Sequence, residues 1–161
     1  MDYETRVTEC FEMNGKNLNP KWSPDGSKIA FSAKISGKRG IWVMNADGSG
    51  KRRIGSGVQP EWRSESELCF LNNSALYCAN VESREQKTIA ERVGHYTLYD
   101  ALLAHDYGFN VTLLCLNSKE EIELTKSRHD MLPIFSPDGK KVAFTTDRFG
   151  NYDIWIASRT G

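Results

Sequence analysis

Short apolar runs rich in β-branched and aromatic residues recur along the chain, each closed by a turn signal. Ile29-Ala30-Phe31, Ile41-Trp42-Val43-Met44, Leu68-Cys69-Phe70-Leu71 and Val142-Ala143-Phe144 are of this kind. Their brevity and composition suit strands on a pleated surface rather than helices. Asp25-Gly26, Asp47-Gly48 and Asp138-Gly139 mark tight turns between them, because glycine accepts positive φ and aspartate favours turn entry. Pro24 and Pro137 suit turn starts, where φ is fixed near −65°. One stretch is ambiguous: the apolar positions of Tyr96–Ala104 also satisfy an i, i+3, i+4 pattern, so a short helix stays open there.

The pattern is a repeat. Asn19-Pro20-Lys21-Trp22-Ser23-Pro24-Asp25-Gly26-Ser27-Lys28-Ile29-Ala30-Phe31 recurs as Leu132-Pro133-Ile134-Phe135-Ser136-Pro137-Asp138-Gly139-Lys140-Lys141-Val142-Ala143-Phe144. A weaker version runs from Gln59-Pro60-Glu61-Trp62 to Leu68-Cys69-Phe70. Pro20 and Pro60 lie 40 residues apart and Pro60 and Pro133 lie 73 apart, so a degenerate unit is expected near residue 96. Each unit reads as four short strands, the arithmetic of a β-propeller blade. The expectation is an all-β, single-domain chain over 1–161, with four units at about 19–54, 59–89, 95–125 and 132–158. The last unit shows only three runs, and Glu4–Glu9 reads as its fourth strand. That strand could be added within one chain, closing four blades, or between two chains, closing eight as a homodimer.

The Trp22-Ser23-Pro24-Asp25-Gly26 and Ile41-Trp42-Val43-Met44-Asn45-Ala46-Asp47-Gly48 segments, with Phe135-Ser136-Pro137-Asp138-Gly139 and Asp153-Ile154-Trp155-Ile156, resemble the repeat of TolB-type (WD-like) β-propellers. The resemblance implies the propeller fold. It leaves function open, since similar repeats occur in periplasmic TolB, in propeller domains of prolyl-oligopeptidase-like enzymes and in oligogalacturonate lyases.

Charge and composition narrow the partners. Twenty-one basic residues balance twenty-one acidic ones, which argues against a nucleic-acid partner because such binding relies on a basic surplus. No apolar run is long enough to span a bilayer, and the first residues lack the pattern of a signal peptide, so membrane insertion is not expected and a cytoplasmic location is. The four cysteines, 10, 69, 78 and 115, follow no framework spacing. They are expected to be free thiols, with 69, 78 and 115 buried as small hydrophobes.

No nucleophile elbow, phosphate loop or paired-histidine zinc motif occurs, so no catalytic residue is assigned and no cofactor is expected. In a propeller the connections between blades share one face with those between second and third strands. His95 and His129 fall in the first kind, and His105 with Asp106 in the second. With Asp130 these could gather on one rim, a set suited to a transition metal or to ordinary solvated loops. Lys38, Arg39, Arg148, Asn151 and Tyr152 fall on the same face, a mixed polar and aromatic group fitting a peptide or protein loop. The tryptophans at 22, 42, 62 and 155 occupy repeat positions and are expected to pack the blades. The sequence therefore favours a non-enzymatic scaffold that binds a protein or peptide through its polar loop face or its central opening. A metal-dependent carbohydrate lyase or hydrolase built on the histidine cluster is the alternative, and an accessory ring for a separate enzyme the third.

Overall fold

Strands account for all regular structure in the computed structural model, which describes residues 17–35 and 38–158. The first sheet holds β1 (Asn17–Trp22), β2 (Lys28–Ile35), β3 (Lys38–Asn45) and β4 (Arg52–Gly55), and the second β5 (Val58–Trp62), β6 (Glu67–Asn72), β7 (Ala75–Asn80) and β8 (Gln86–Glu91). The third holds β9 (Tyr96–Tyr99), β10 (Leu102–Tyr107), β11 (Asn110–Cys115) and β12 (Glu121–Glu123). The fourth has three strands, β13 (Asp130–Phe135), β14 (Lys141–Thr146) and β15 (Asp153–Ser158). In every sheet the strands are antiparallel and in chain order. The expected fourth strand at Glu4–Glu9 lies outside the described residues. In the ambiguous third unit strands prevail: β9 and β10 pair in regular register across a turn at Asp100-Ala101.

The Ser-Pro-Asp-Gly turns are built from their own side chains. Ser23 Oγ donates to Asp25 Oδ1 at 2.6 Å, and the Ser27 amide donates to the same oxygen at 3.0 Å. Ser136 and Asp138 repeat the arrangement at 2.6 Å. The hydrogen bonds from Ser23 and Ser27 hold the Asp25 carboxyl low, at about 2. Turn geometry thus accounts for these aspartates without a ligand.

Gly26 and Gly139 close the same turn at φ of 71° and 67° but differ in surroundings. A Cβ on Gly26 would meet open space, whereas one on Gly139 would run into the Tyr99 ring of the third sheet. Gly26→Ala is expected to destabilise by roughly 1 kcal/mol from backbone strain alone. Gly139→Ala is expected to lose at least about 1 kcal/mol more, because the aromatic ring must move. Urea melts of the two variants check the difference.

The sheets pack face to face in chain order. Ala30, Ile41, Val43 and Ile54 of the first meet Leu68, Phe70 and Ala79 of the second. Cys69, Leu71, Leu76 and Cys78 of the second meet Leu103 and Leu114 of the third, and Ala104, Val111 and Leu113 of the third meet Val142 and Phe144 of the fourth. Polar links cross these seams: Trp62 Nε1 donates to the Lys21 carbonyl at 3.0 Å, and Gln86 Nε2 to that of Ile54 at 3.0 Å.

Two paired rows recur at matched positions. They are Ala30–Val43 and Ser32–Ile41 in the first sheet, Cys69–Cys78 and Leu71–Leu76 in the second, and Ala104–Leu113 and Asp106–Val111 in the third. All of these residues are buried. Their counterparts in the fourth sheet are Ala143–Ile156 and Thr145–Ile154, and there both isoleucines are exposed.

One of these rows corrects the expectation of free thiols, since Cys69 and Cys78 are joined in a disulfide. The two-residue turn Asn73-Ser74, with φ of 50° and 61°, sets the register that places the two cysteines directly opposite on β6 and β7. Spacing along the chain could not show this, because the pairing is a property of strand register. Cys115 is a free thiol.

Tryptophan burial is uneven. Trp42 and Trp62 pack against apolar clusters as expected, whereas Trp22 is largely exposed and Trp155 partly so.

Candidate functional site: the central cavity

The first strands of all four sheets converge on one cavity of about 410 Å³. Asn19 and Lys21 come from β1, Gln59, Pro60 and Glu61 from β5, His95 and Tyr96 from β9 with its approach, and Leu132, Pro133 and Ile134 from β13. The repeated X-Pro pair shapes three of the four walls. Asn19, Gln59 and Leu132 adopt φ of 55°, 54° and 55°, and at each of them the ladder to the second strand slips register. A left-handed residue ahead of a proline is unfavourable by about 1–2 kcal/mol. Its recurrence shows that the bulge is a built feature of the inner strand. The third unit lacks the proline and the bulge, and Tyr96 fills that wall instead.

Tyr96 ties two walls together. Its hydroxyl lies 2.7 Å from the Gln59 carbonyl and 3.0 Å from that of Cys69, and burial pushes its pKa well above the ordinary tyrosine value. Across the cavity mouth Lys21 Nζ and Glu61 Oε2 pair at 2.8 Å, both partly exposed. Such a pair is worth little to stability and leaves both charges within reach of a ligand.

Asp106 holds the third and fourth walls in register. Oδ1 accepts the His95 amide at 2.8 Å, while Oδ2 accepts the Leu132 amide at 2.7 Å and meets His95 Nδ1 at 3.0 Å. A carboxylate can only accept, so Nδ1 carries the hydrogen and Nε2 is left for another partner. The imidazole itself is half-exposed.

Of the residues singled out in sequence, His95 lines the cavity and Asp106 orients it. His105 and Asp106 do not lie in a loop as expected. Both are on β10, which runs on to Tyr107 before a two-residue turn, so adjacent side chains point to opposite faces of the sheet. His105 is buried with Nδ1 unpartnered, and desolvation lowers its pKa. His129 instead pairs with Asp147 at 2.7 Å on the surface. The three histidines thus point to three different environments. Among the described residues no group of three or more His, Cys, Asp or Glu side chains is placed to hold a metal ion.

Asp130 and Arg148 form a structural clamp. Asp130 is fully buried, and Arg148 Nη2 donates to both its oxygens at 2.9 Å while Ser127 Oγ donates at 2.5 Å. Burial opposes ionisation of this carboxyl, yet hydrogen bonds from Ser127, Thr146 and Arg148 outweigh it and hold the pKa at about 2. Arg148 in turn lies 4.2 Å over the Trp155 ring. Arg39, Asn151 and Tyr152 are exposed near the tips of the β2–β3 and β14–β15 hairpins. Lys38 opens β3, and its side chain lies outside the described residues.

Asn19, Lys21, Gln59, Glu61 and Leu132 were not anticipated as site residues. The signal was present in the X-Pro pairs that open each strong repeat, which mark the innermost strand. They were legible as repeat markers but not as cavity walls.

These sheets and their axial cavity define a β-propeller of WD-like repeats. No family profile matches the chain. A TolB homologue of Chlorobium luteolum is 32% identical over 148 residues, covering 87% of this chain and 26% of the relative. The crystal structure of TolB from Acinetobacter baumannii superposes with a TM-score of 0.72 at 21% identity, covering 89% of this chain and 41% of that one. An oligogalacturonate lyase of Vibrio parahaemolyticus superposes with a TM-score of 0.69 at 22% identity, covering 88% and 48%. The chain is a TolB-type β-propeller repeat protein. It spans about a quarter of that curated relative and less than half of either solved structure.

Proposed function

We propose that the chain is a non-enzymatic propeller scaffold that binds a protein or peptide at its central cavity and the polar loops around it. The observation that carries this reading is the cavity. Its volume falls within the range of roughly 300–1,000 Å³ typical of ligand sites, enough for a few side chains of a peptide or loop. Its walls mix apolar surface from Pro60, Pro133 and Ile134 with the Lys21–Glu61 charges and the free Nε2 of His95. That mixture suits a segment offering both an apolar anchor and a hydrogen-bonding or charged group.

Panning a random peptide library on the intact chain tests it. Selected peptides are expected to bind at least tenfold more weakly to Glu61→Lys and His95→Ala, with melting temperatures little changed. Glu85→Lys, away from the cavity, is expected to bind them normally. Peptides indifferent to both cavity substitutions would refute the reading.

Glu4–Glu9 would complete the fourth sheet beside β15, within the chain or by exchange between two. Supporting it, β3, β7 and β11 each pair with a fourth strand, whereas β15 pairs only with β14 among the described residues. As for compartment, the Cys69–Cys78 disulfide weighs toward an oxidising one, against the cytoplasmic expectation.

A further inference from the structure

The seam between the first two sheets is open at the end where the β2–β3 hairpin projects. A pocket of about 90 Å³ lies there, floored by Ser32 and walled by Leu18, Gly57 and Val58, with Lys34 and Arg39 at its rim. Both sheets that border it have their four strands, so no unfinished sheet creates the space. It is distinct from the central cavity, with which it shares only Asn19 as a lining residue.

One repeat position decides why this seam has space and its sisters do not. Leu71 occupies that position in the second sheet and packs against the third. Asp106 occupies it in the third sheet, where the His95 and Leu132 amides satisfy it. The first sheet has Ser32 there, smaller than either, 7% exposed and with its Oγ buried without a hydrogen-bond partner. A buried hydroxyl in that condition is unfavourable, and a ligand oxygen would satisfy it. The hairpin above it also departs from its sisters. The β6–β7 and β10–β11 ladders end one pair beyond this row, at Asn72–Ala75 and Tyr107–Asn110, whereas β2–β3 continues two pairs further. That extension sets Lys34 directly opposite Arg39, on the same face as Ser32 and Leu18. Neither cation has an ion-pair partner among the described residues. Like charges directly opposite destabilise a strand pair, and an anion between them removes the repulsion.

We propose that this seam pocket binds a carboxylate carrying a short branched apolar group, either the last residue of a polypeptide or a free acid. The carboxylate sits between the Lys34 and Arg39 heads and accepts the Ser32 hydroxyl hydrogen, while the apolar group lies against Leu18 and Val58. The planar guanidinium of Arg39 matches a carboxylate well. The volume is below the roughly 150 Å³ of a cavity that holds benzene, which limits the apolar part to a side chain of valine or leucine size. A bare inorganic anion would use the two charges and leave the apolar walls empty.

Nuclear magnetic resonance titration of the isotope-labelled full chain with N-acetyl-Gly-Gly-Leu, up to about 10 mM so that a millimolar Kd is reached, tests the proposal. Saturable amide shifts are expected at Ser32, Lys34, Arg39 and Val58. The C-terminal amide of the peptide and N-acetyl-Gly-Gly-Gly should each bind at least about tenfold more weakly, one lacking the charge and the other the apolar group. Arg39→Glu sets opposite charges face to face on the hairpin, so it should weaken binding by at least about tenfold with no fall in melting temperature. Lys126→Glu, an exposed site between the third and fourth sheets, makes the same change in net charge and should bind normally. Isocaproate tells the two sources apart: binding as tight as the peptide's assigns the site to free acids, and weaker binding assigns it to polypeptide C-termini. Absence of saturable shifts overturns the proposal, as does equal binding of the amide, of the glycine-ended peptide or of inorganic phosphate. Shifts that vanish in His95→Ala but persist in Arg39→Glu would place the peptide in the central cavity and would also overturn it.

Discussion

Replacing Asp130 by Asn is expected to lower the free energy of unfolding by about 3 kcal/mol, the lower end of what breaking a buried ion pair costs. Asp130 is inaccessible to water and satisfies Arg148, Ser127 and Thr146 together. The neutral amide would leave the Arg148 guanidinium without its charge partner beneath the Trp155 ring. Arg148 keeps some contact with water, which is why the larger figures for fully buried pairs do not apply. Asp147→Asn serves as the comparison. Its pair with His129 is exposed, so its loss should amount to about 1 kcal/mol or less. Guanidinium melts of both variants at neutral pH read the difference, and equal values would refute the clamp.

The same carboxyl makes stability depend on pH in a defined direction. Its pKa falls from 3.8 to about 2 on folding. The folded state therefore binds the proton less readily than the unfolded state. The resulting contribution, roughly 2 kcal/mol, is complete above about pH 4 and disappears as the pH drops toward 2. The gap between the parent chain and Asp130→Asn should narrow over that window, and a gap constant from pH 6 to pH 2 would be inconsistent with the assignment.

Reduction of the Cys69–Cys78 bond is expected to lower the melting temperature by roughly 5–10 °C. The cysteines lie nine residues apart, and closing so short a loop in the unfolded chain stabilises the native state by about 2–3 kcal/mol. Both sulfurs are buried, so the reductant must act on the opened chain and the change should be slow under native conditions. Thiol titration of the denatured chain should find two more reactive cysteines after reduction than before it. Equal counts would disprove the bond.

Much of this architecture is legible without coordinates. The four repeat units, the tight Asp-Gly turns and the packing role of Trp42 and Trp62 follow from local chemistry: turn residues with unusual backbone freedom, and short runs whose branched and aromatic side chains suit a sheet. The site was far less legible. His105 and Asp106 are neighbours in sequence, yet strand alternation sends one into the core and the other to the seam where it holds His95 and Leu132. Asp130 and Arg148 read as a loop surface because each alone is polar. Only their pairing, eighteen residues apart, makes burial tolerable.

What the sequence determined by itself is the repeat, and with it the strands, their order and the turns between them, because these depend on side chains a few residues apart. Tertiary structure decided the rest. Register placed Cys69 opposite Cys78, and the convergence of four separate inner strands built the cavity. Stacking left Ile154 and Ile156 exposed where Ile41 and Val43 are covered. Neighbouring repeats carry nearly the same local signals, so burial and contact differ only through what lies against each sheet, and no single stretch of sequence contains that information.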